Sequence, residues 1–460
     1  MFRKLLLLLL VFILFSCKEK EDTSPKTTWI GGQIVNPKLD YVVFSRGGDI
    51  LDTVKLDANS FFLYRTDKIK KGLYTLRHNE TQVFFIEPGD SLLLHLNTID
   101  FDESLAYSGR GAEQNNLLMY LFLTNETENR LLPQWYTLSP EKFTKKIDSL
   151  KAIKVSEYEG FLKKNKVSSE FKKVAQASID YDHYSKKELY TAANMNRRAE
   201  ISDKFYDYRK KIDFGNEDFW YYYPYYRFLN RYFDNLIAEN LKSPLARTSF
   251  DFSLKKIKAI DSLVIQDSIK NSLIRFTALR CLYNTKDAEN GVQFFEAFSK
   301  VNNNSTHLRE IEELVQTTLK MSPGNPLPNV LLISMDNTAV NMPNVIDRPT
   351  VFYFWTSSFP EQVKTQHNRA AELKSKYPEY DFIGINTDSH FRNWRSTVNK
   401  LGYNASKQFQ LENMSEAERI LVLSWRSKAI IVDKDKTILD GNTNMFNTNF
   451  EELLLGYLNR

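Results

Sequence analysis

Thr350-Val-Phe-Tyr-Phe-Trp355-Thr-Ser-Ser-Phe-Pro-Glu361 is the stretch on which the fold turns. Its first six residues form a continuous apolar run, the pattern of a strand covered on both faces. Outward from it the signals alternate. A helix is predicted from Glu361 to Lys376, then a strand Phe382-Ile-Gly-Ile385 and a second helix from Phe391 to Leu401. Strands Ala429-Ile-Ile-Val432 and Thr437-Ile-Leu439 meet across Asp433-Lys-Asp-Lys436, and a helix from Phe450 to Leu458 follows. A β-α-β crossover, a hairpin and a last helix describe an α/β sheet with both faces covered. Within the opening stretch, Ser358-Phe-Pro-Glu361 reads as a capping box, with Ser358 and Glu361 each bonding the other's backbone amide. The alternative is that this helix N-terminus and its hydroxyls bind an anion or a peptide.

Upstream lies the clearest linker, 323–328, within Ser322-Pro-Gly-Asn-Pro-Leu-Pro328. Residues 111–322 are poor in glycine and show helical spacing, as at Phe143, Ile147 and Leu150, or Leu254, Ile257, Ile260 and Leu263. Ser139-Pro-Glu-Lys142 supplies a serine cap with proline at the first helical position. About seven helices are expected there. Residues 29–108 instead carry short aromatic or β-branched runs, among them Tyr41-Val-Val-Phe44 and Phe61-Phe-Leu-Tyr64. Turn material such as Gly47-Gly48 and Pro88-Gly-Asp90 separates them. The expected fold class is multidomain α+β: an N-terminal antiparallel β-sandwich, a central all-α domain, and an α/β domain over 329–460.

The N-terminus gives an address. Arg3 and Lys4 precede eleven unbroken apolar residues, Leu5 to Phe15. That run is too short to span a bilayer and fits a signal peptide over 1–16. Leu14-Phe15-Ser16-Cys17 resembles a bacterial lipobox, although Phe15 is larger than usual there. The resemblance implies acylation of Cys17, palmitate included, and membrane attachment through the N-terminal lipid. Residues 17–28 form a tether, in which Lys18-Glu-Lys-Glu-Asp22 resembles an export signal of surface lipoproteins; a solvated linker is the alternative. The expected location is a Gram-negative envelope, as an outer-membrane lipoprotein facing either the periplasm or the surface. A plain signal peptide with an incidental cysteine is the competing reading.

The C-terminal motifs resemble thioredoxin-fold modules of the TlpA/ResA type. They are Leu327-Pro-Asn-Val330, Val351-Phe-Tyr-Phe-Trp355, Ile383-Gly-Ile-Asn-Thr-Asp388 and Ala429-Ile-Ile-Val-Asp-Lys-Asp435. Phe85-Ile-Glu-Pro-Gly-Asp-Ser-Leu92 and Tyr107-Ser-Gly-Arg-Gly-Ala-Glu-Gln-Asn115 also resemble a β domain common ahead of such modules in envelope lipoproteins. The family's redox site is Trp-Cys-x-x-Cys. Here Trp355-Thr-Ser-Ser-Phe359 stands in that place, so Thr356 and Phe359 occupy both thiol positions. The resemblance also implies a cis-proline before the strand at Ala429, where Ser427 stands; a trans bond is expected instead.

Disulfide exchange needs an attacking thiolate and a resolving thiol, which an alcohol and a phenyl ring cannot supply. The chain holds two cysteines. Cys17 is assigned to the lipid, and Cys281, flanked by apolar residues in Ala278-Leu-Arg-Cys-Leu-Tyr283, reads as buried and inert. A non-enzymatic protein is therefore expected, with no cofactor.

Composition narrows the partners. Lys+Arg 62 against Asp+Glu 57 among 460 residues is too balanced for a nucleic-acid binder. Aromatic content of 13% argues against disorder. The six histidines lack ligand spacing, so no metal site is expected. A triad of Ser357 or Ser358 with His367 and Asp388 lacks its nucleophile elbow, and a packed histidine is the favoured reading. Phe219 to Phe233 holds ten aromatics in fifteen residues, with Arg227 and Arg231 at helical spacing. Core packing is the simpler reading; Trp220 and Tyr222 would otherwise bind glycan or peptide. Candidate binding residues at the former redox loop are Trp355, Ser357 and Ser358, facing an envelope protein or peptide. The leading expectation is a membrane-tethered binding or scaffold protein. The alternatives are a thiol-disulfide oxidoreductase and a glycan- or peptide-binding lipoprotein.

Overall fold

Ser91-Leu-Leu-Leu-His-Leu-Asn97 alternates strictly, burying Leu92, Leu94 and Leu96 and turning the residues between them outward. Such period-two burial builds the N-terminal sheets. A computed structural model describes residues 27–78, 80–219, 222–241, 245–285, 287–357, 359–388, 391–423 and 428–459. They form two units. One takes the described residues of Met1–Phe205 with Asp218–Phe228, the other those of Tyr206–Glu217 with Leu229–Arg460; the division falls inside 111–322.

In the first unit, strands β1 (Thr28–Val35), β2 (Tyr41–Arg46), β3 (Asp49–Lys55), β4 (Phe61–Thr66), β5 (Gly72–His78), β6 (Glu80–Ile86), β7 (Ser91–Asn97) and β8 (Ala106–Arg110) make two four-stranded sheets. Their orders are β4-β1-β7-β8 and β3-β2-β5-β6. One core draws on both sheets, with Ile30, Phe62 and Leu94 from the first and Val42, Phe44, Leu76 and Phe84 from the second. The pairing is not wholly antiparallel: β1 and β7 run parallel, Trp29 opposite Ser91 through Val35 opposite Asn97. Alternation fixes which face a residue takes but not which strand lies beside it. The pair is close enough that a Cβ at Gly32 would sit 1.9 Å from the Leu94 carbonyl oxygen.

A short helix α1 (Phe101–Ser104) precedes β8, and α2 (Ala112–Leu131), α3 (Pro140–Lys164) and α4 (Ser169–Ala193) follow it. Ser139 caps α3 by accepting from the Lys142 amide, with Pro140 at the first position, as the sequence predicts. Helix α5 (Tyr223–Glu239) gives its residues to Phe228 to this unit and the rest to the second. Helices α6 (Phe250–Leu263), α7 (Asp267–Leu282), α8 (Ala288–Val301) and α9 (Ser305–Lys320) belong to the second unit. Between 111 and 322 the described residues thus hold eight α-helices, one more than expected. The aromatic segment is mostly core: Phe219, Tyr222, Tyr225, Phe228, Tyr232 and Phe233 are buried, while Tyr223 is exposed.

The second unit continues with β9 (Leu331–Ile333), β10 (Ala339–Asn341), β11 (Thr350–Trp355), α10 (Pro360–Lys376), β12 (Asp381–Asn386), α11 (Phe391–Leu401), β13 (Gln408–Leu411), α12 (Met414–Leu421), β14 (Ala429–Val432), β15 (Ile438–Thr443) and α13 (Phe450–Leu458). Seven strands order as β10-β9-β13-β12-β11-β14-β15. β11 and β12 are parallel, β14 is antiparallel to β11, and β15 to β14. This is the β-α-β crossover, hairpin and last helix that the sequence pattern predicts. Every residue of β11 and β12 is buried. Alternate residues feed two cores, Phe352, Phe354, Ile383 and Ile430 on one face and Val351, Tyr353, Trp355 and Ile431 on the other. The proline-rich segment is tied down: the Gly324 amide bonds Ile438 O at 2.9 Å, and that of Leu327 bonds Lys436 O at 2.9 Å.

Candidate functional site

Strand β11 ends at Trp355 and runs into the loop string Trp355-Thr-Ser-Ser-Phe359, where the resemblance would place a redox site. Thr356, in the first thiol position, donates its hydroxyl to Asp388 Oδ1. The Ser357 amide donates to Asp388 Oδ2 at 2.8 Å, and Asn386 Nδ2 to the same oxygen at 3.0 Å. Asp388 returns its own amide to Asn386 Oδ1 at 3.0 Å, and Gln410 Nε2 bonds the Asp388 carbonyl at 2.6 Å. Burial alone would raise the Asp388 pKa. The hydrogen bonds from Thr356, Ser357 and Asn386 outweigh it and hold the carboxyl below its ordinary range. The loop is clasped through an ionised carboxylate.

Phe359, in the second thiol position, is 39% exposed and stands at the cap position of α10, with no side-chain cap bond. The capping-box reading rests on Ser358, which lies outside the described residues. Pro360 takes the first helical position, and a residue before proline is pushed out of the helical region. Phe359 accordingly lies at φ −129°, ψ 81° and is itself the residue at the start of the helix. Ser358, Ser427, Trp220 and Cys17 themselves lie outside the described residues.

Trp355 is corrected. It is 2% exposed and donates its indole N–H to Gln408 Oε1 at 3.1 Å, so it supports the loop from inside and offers no binding face. Gln408 Nε2 reaches the Tyr353 hydroxyl at 3.1 Å. A Cβ at Gly384 would lie 2.4 Å from Gln408 Oε1 and 2.8 Å from the Tyr353 hydroxyl, so a larger residue there would have to displace the ends of both side chains. Tyr222, the other candidate inside the described residues, is buried and shares a hydrogen bond with Ser178. Ser357 is half-buried; its Oγ is buried and has no hydrogen-bond partner among the described residues.

His367 and Asp388 are not assembled into a triad. The imidazole lies 2.9 Å from Val363 O through Nδ1 and 3.4 Å from Gln408 Oε1 through Nε2, and stacks on Tyr403 with centroids 3.6 Å apart. Burial lowers its pKa. Cys281 is buried in α7, where burial pushes its thiol up to about 11, away from the thiolate that exchange chemistry needs. Among the described residues no group of three or more His, Cys, Asp or Glu is placed to hold a metal ion.

The glutamines and Asn386 behind the loop escaped sequence reading. The polar strand Gln408-Phe-Gln-Leu411 was their only signal, since buried amides at alternate positions imply a shared network.

No family model and no curated protein matches the chain. Solved structures do. The chain is similar to a thioredoxin-like protein from Bacteroides caccae at 13% identity, over 54% of this chain and 89% of that one, with a TM-score of 0.36. It is similar to the thioredoxin domain of a thiol-disulfide oxidoreductase from Bacteroides vulgatus at 14% identity, over 30% and 96%, with a TM-score of 0.24. A thiol:disulfide interchange protein from a Bacteroides species matches at 14% identity over 26% and 80%, with a TM-score of 0.23. These neighbours are thioredoxin-like proteins, and those activities are their own.

Proposed function

We propose that the chain is an envelope lipoprotein, anchored through acylated Cys17, whose thioredoxin-like domain binds or scaffolds a partner and performs no thiol-disulfide exchange. The observation that carries this reading is the clasp. Where a redox domain presents an attacking thiol, Thr356 spends its only hydroxyl proton on Asp388. The exposed Phe359 beside it offers an apolar contact where a resolving thiol would stand. Among the described residues no helix is long and apolar enough to cross a membrane, and the N-terminal lipid supplies attachment in this reading. The partner is an envelope protein or peptide, met at the outer membrane from the periplasm or the surface.

Cross-linking in intact cells tests this. One reproducible envelope partner, lost on Phe359→Asp while the protein stays folded, supports docking at the loop; a pattern indifferent to that change removes the loop from the account. The second reading is a thiol-disulfide oxidoreductase. The names of the similar structures favour it, and it requires a reactive thiol at a site that holds Thr356 and Phe359.

A further inference from the structure

The first unit contains a cavity of about 850 Å³, and several residues that line it also carry buried polar atoms with unmet hydrogen bonds. Helix α4 lines it with Ser178, Asp182 and Ser185, successive positions on one helical face. Helix α2 adds Phe122, Asn125 and Asn129, again at helical spacing. Tyr222, Tyr223 and Arg227 complete the lining from the aromatic segment.

Asp182 and Ser185 are 4% and 2% exposed. Asp182 Oδ1, Ser185 Oγ, Asn129 Oδ1 and Arg227 Nε are all buried atoms with no partner among the described residues. Buried polar groups are nearly always hydrogen-bonded, so several orphans around one cavity mark where a ligand's polar atoms belong. Two of the four are pure acceptors, one is a hydroxyl and one a donor. Their ligand must therefore both donate and accept.

Charge narrows the class. The other oxygen of Asp182 already takes Lys154 Nζ at 3.0 Å and Lys186. Glu128 pairs with the same two lysines at 2.7 and 2.9 Å, so two carboxylates balance two ammonium groups. A cation at Asp182 Oδ1 would face both lysines; a neutral hydroxyl takes the lone pair without that repulsion. The lining sets Glu80, Asp102 and Glu126 against Arg130 and Arg227, a balance that gives an anion no net attraction. Phe122 and Tyr222 add aromatic surface to the lining, suited to C–H contacts. The volume lies within the range of small-molecule sites.

We infer that this cavity is a binding site for a short neutral saccharide, held by Asp182, Ser185, Asn129 and Arg227. The site owes nothing to the loop at Thr356, so either reading can fail alone. Calorimetry on the full chain in detergent, with maltose, cellobiose, mannobiose and chitobiose as probes and cadaverine and glucuronic acid as charged controls, tests it. At least one neutral disaccharide should bind, and Ser185→Ala should weaken it about fivefold, the loss of one hydrogen bond. Ser185→Leu should abolish binding, with an unchanged melting temperature in the Ser185→Ala protein showing that the fold is intact. Binding of cadaverine or glucuronic acid in place of the neutral sugars, binding untouched by both Ser185 changes, or no binding of any probe would overturn the assignment.

Discussion

The Thr356 hydroxyl donates to Asp388 Oδ1 across 32 residues of chain, joining the end of β11 to the segment that follows β12. The relationship gives the loop a structural reason to keep an alcohol in the first thiol position. Valine has nearly the same shape and no donor. Thr356→Val should therefore destabilise the protein by about 1–2 kcal/mol, read as a lower midpoint in urea unfolding with an unchanged slope.

The same clasp predicts a pH dependence. The Asp388 pKa is lower in the folded chain than its ordinary 3.8, so the unfolded state binds the proton more readily. Its contribution is present above that ordinary value and is lost as pH falls through the folded value. Asp388→Asn should lower stability at pH 7 and flatten the acid limb of the stability profile. An equally steep limb in the variant would remove Asp388 from its causes.

Lys428 makes the opposite case. Its ammonium is buried, donating to Leu421 O at 2.7 Å and Val422 O at 3.1 Å, and burial lowers its pKa to about 7. Between that value and the ordinary 10.5 the unfolded state holds a proton that the folded state has released. Stability from this group thus rises with pH across the window and is flat below it. Lys428→Met should remove the rise, as thermal melts at pH 7 and pH 9.5 would show.

The buried quartet of Lys154, Lys186, Asp182 and Glu128 is vulnerable to one-sided change. Lys154→Met leaves two buried carboxylates sharing Lys186 and should cost about 3 kcal/mol. Guanidinium unfolding of the variant measures it directly.

Much of the second unit was legible in sequence. Thr350 to Trp355, Phe391 to Leu401, Ala429 to Val432 and Phe450 to Leu458 fall where periodicity places them. Continuous apolar runs and strong amphipathic spacing are local signals. The strands β9 and β10 have three residues each, too few to show a period, and β13 alternates buried glutamines with apolar residues, which reads as neither strand nor core. The parallel pairing of β1 with β7 is a tertiary choice that alternation cannot encode. At the site, the loss of thiols was plain from Thr356 and Phe359, but the carboxylate that fills the gap was not. Asp388 lies 32 residues away and stands out in sequence only as the end of the Ile383–Asp388 motif and as a third triad member, and Trp355, the last residue of a covered strand, is also the first residue of the loop string, so sequence alone leaves its side open. The cavity acceptors Asp182 and Ser185 were invisible for a related reason: a polar residue on a helix reads as solvent-facing until its neighbours are known.

The most direct test of a redox-silent domain is insulin disulfide reduction by the full chain, with dithiothreitol as the electron source, beside the Cys281→Ser variant. The account predicts a rate equal to dithiothreitol alone for both proteins. Catalytic acceleration by the unaltered chain that disappears in Cys281→Ser would contradict it.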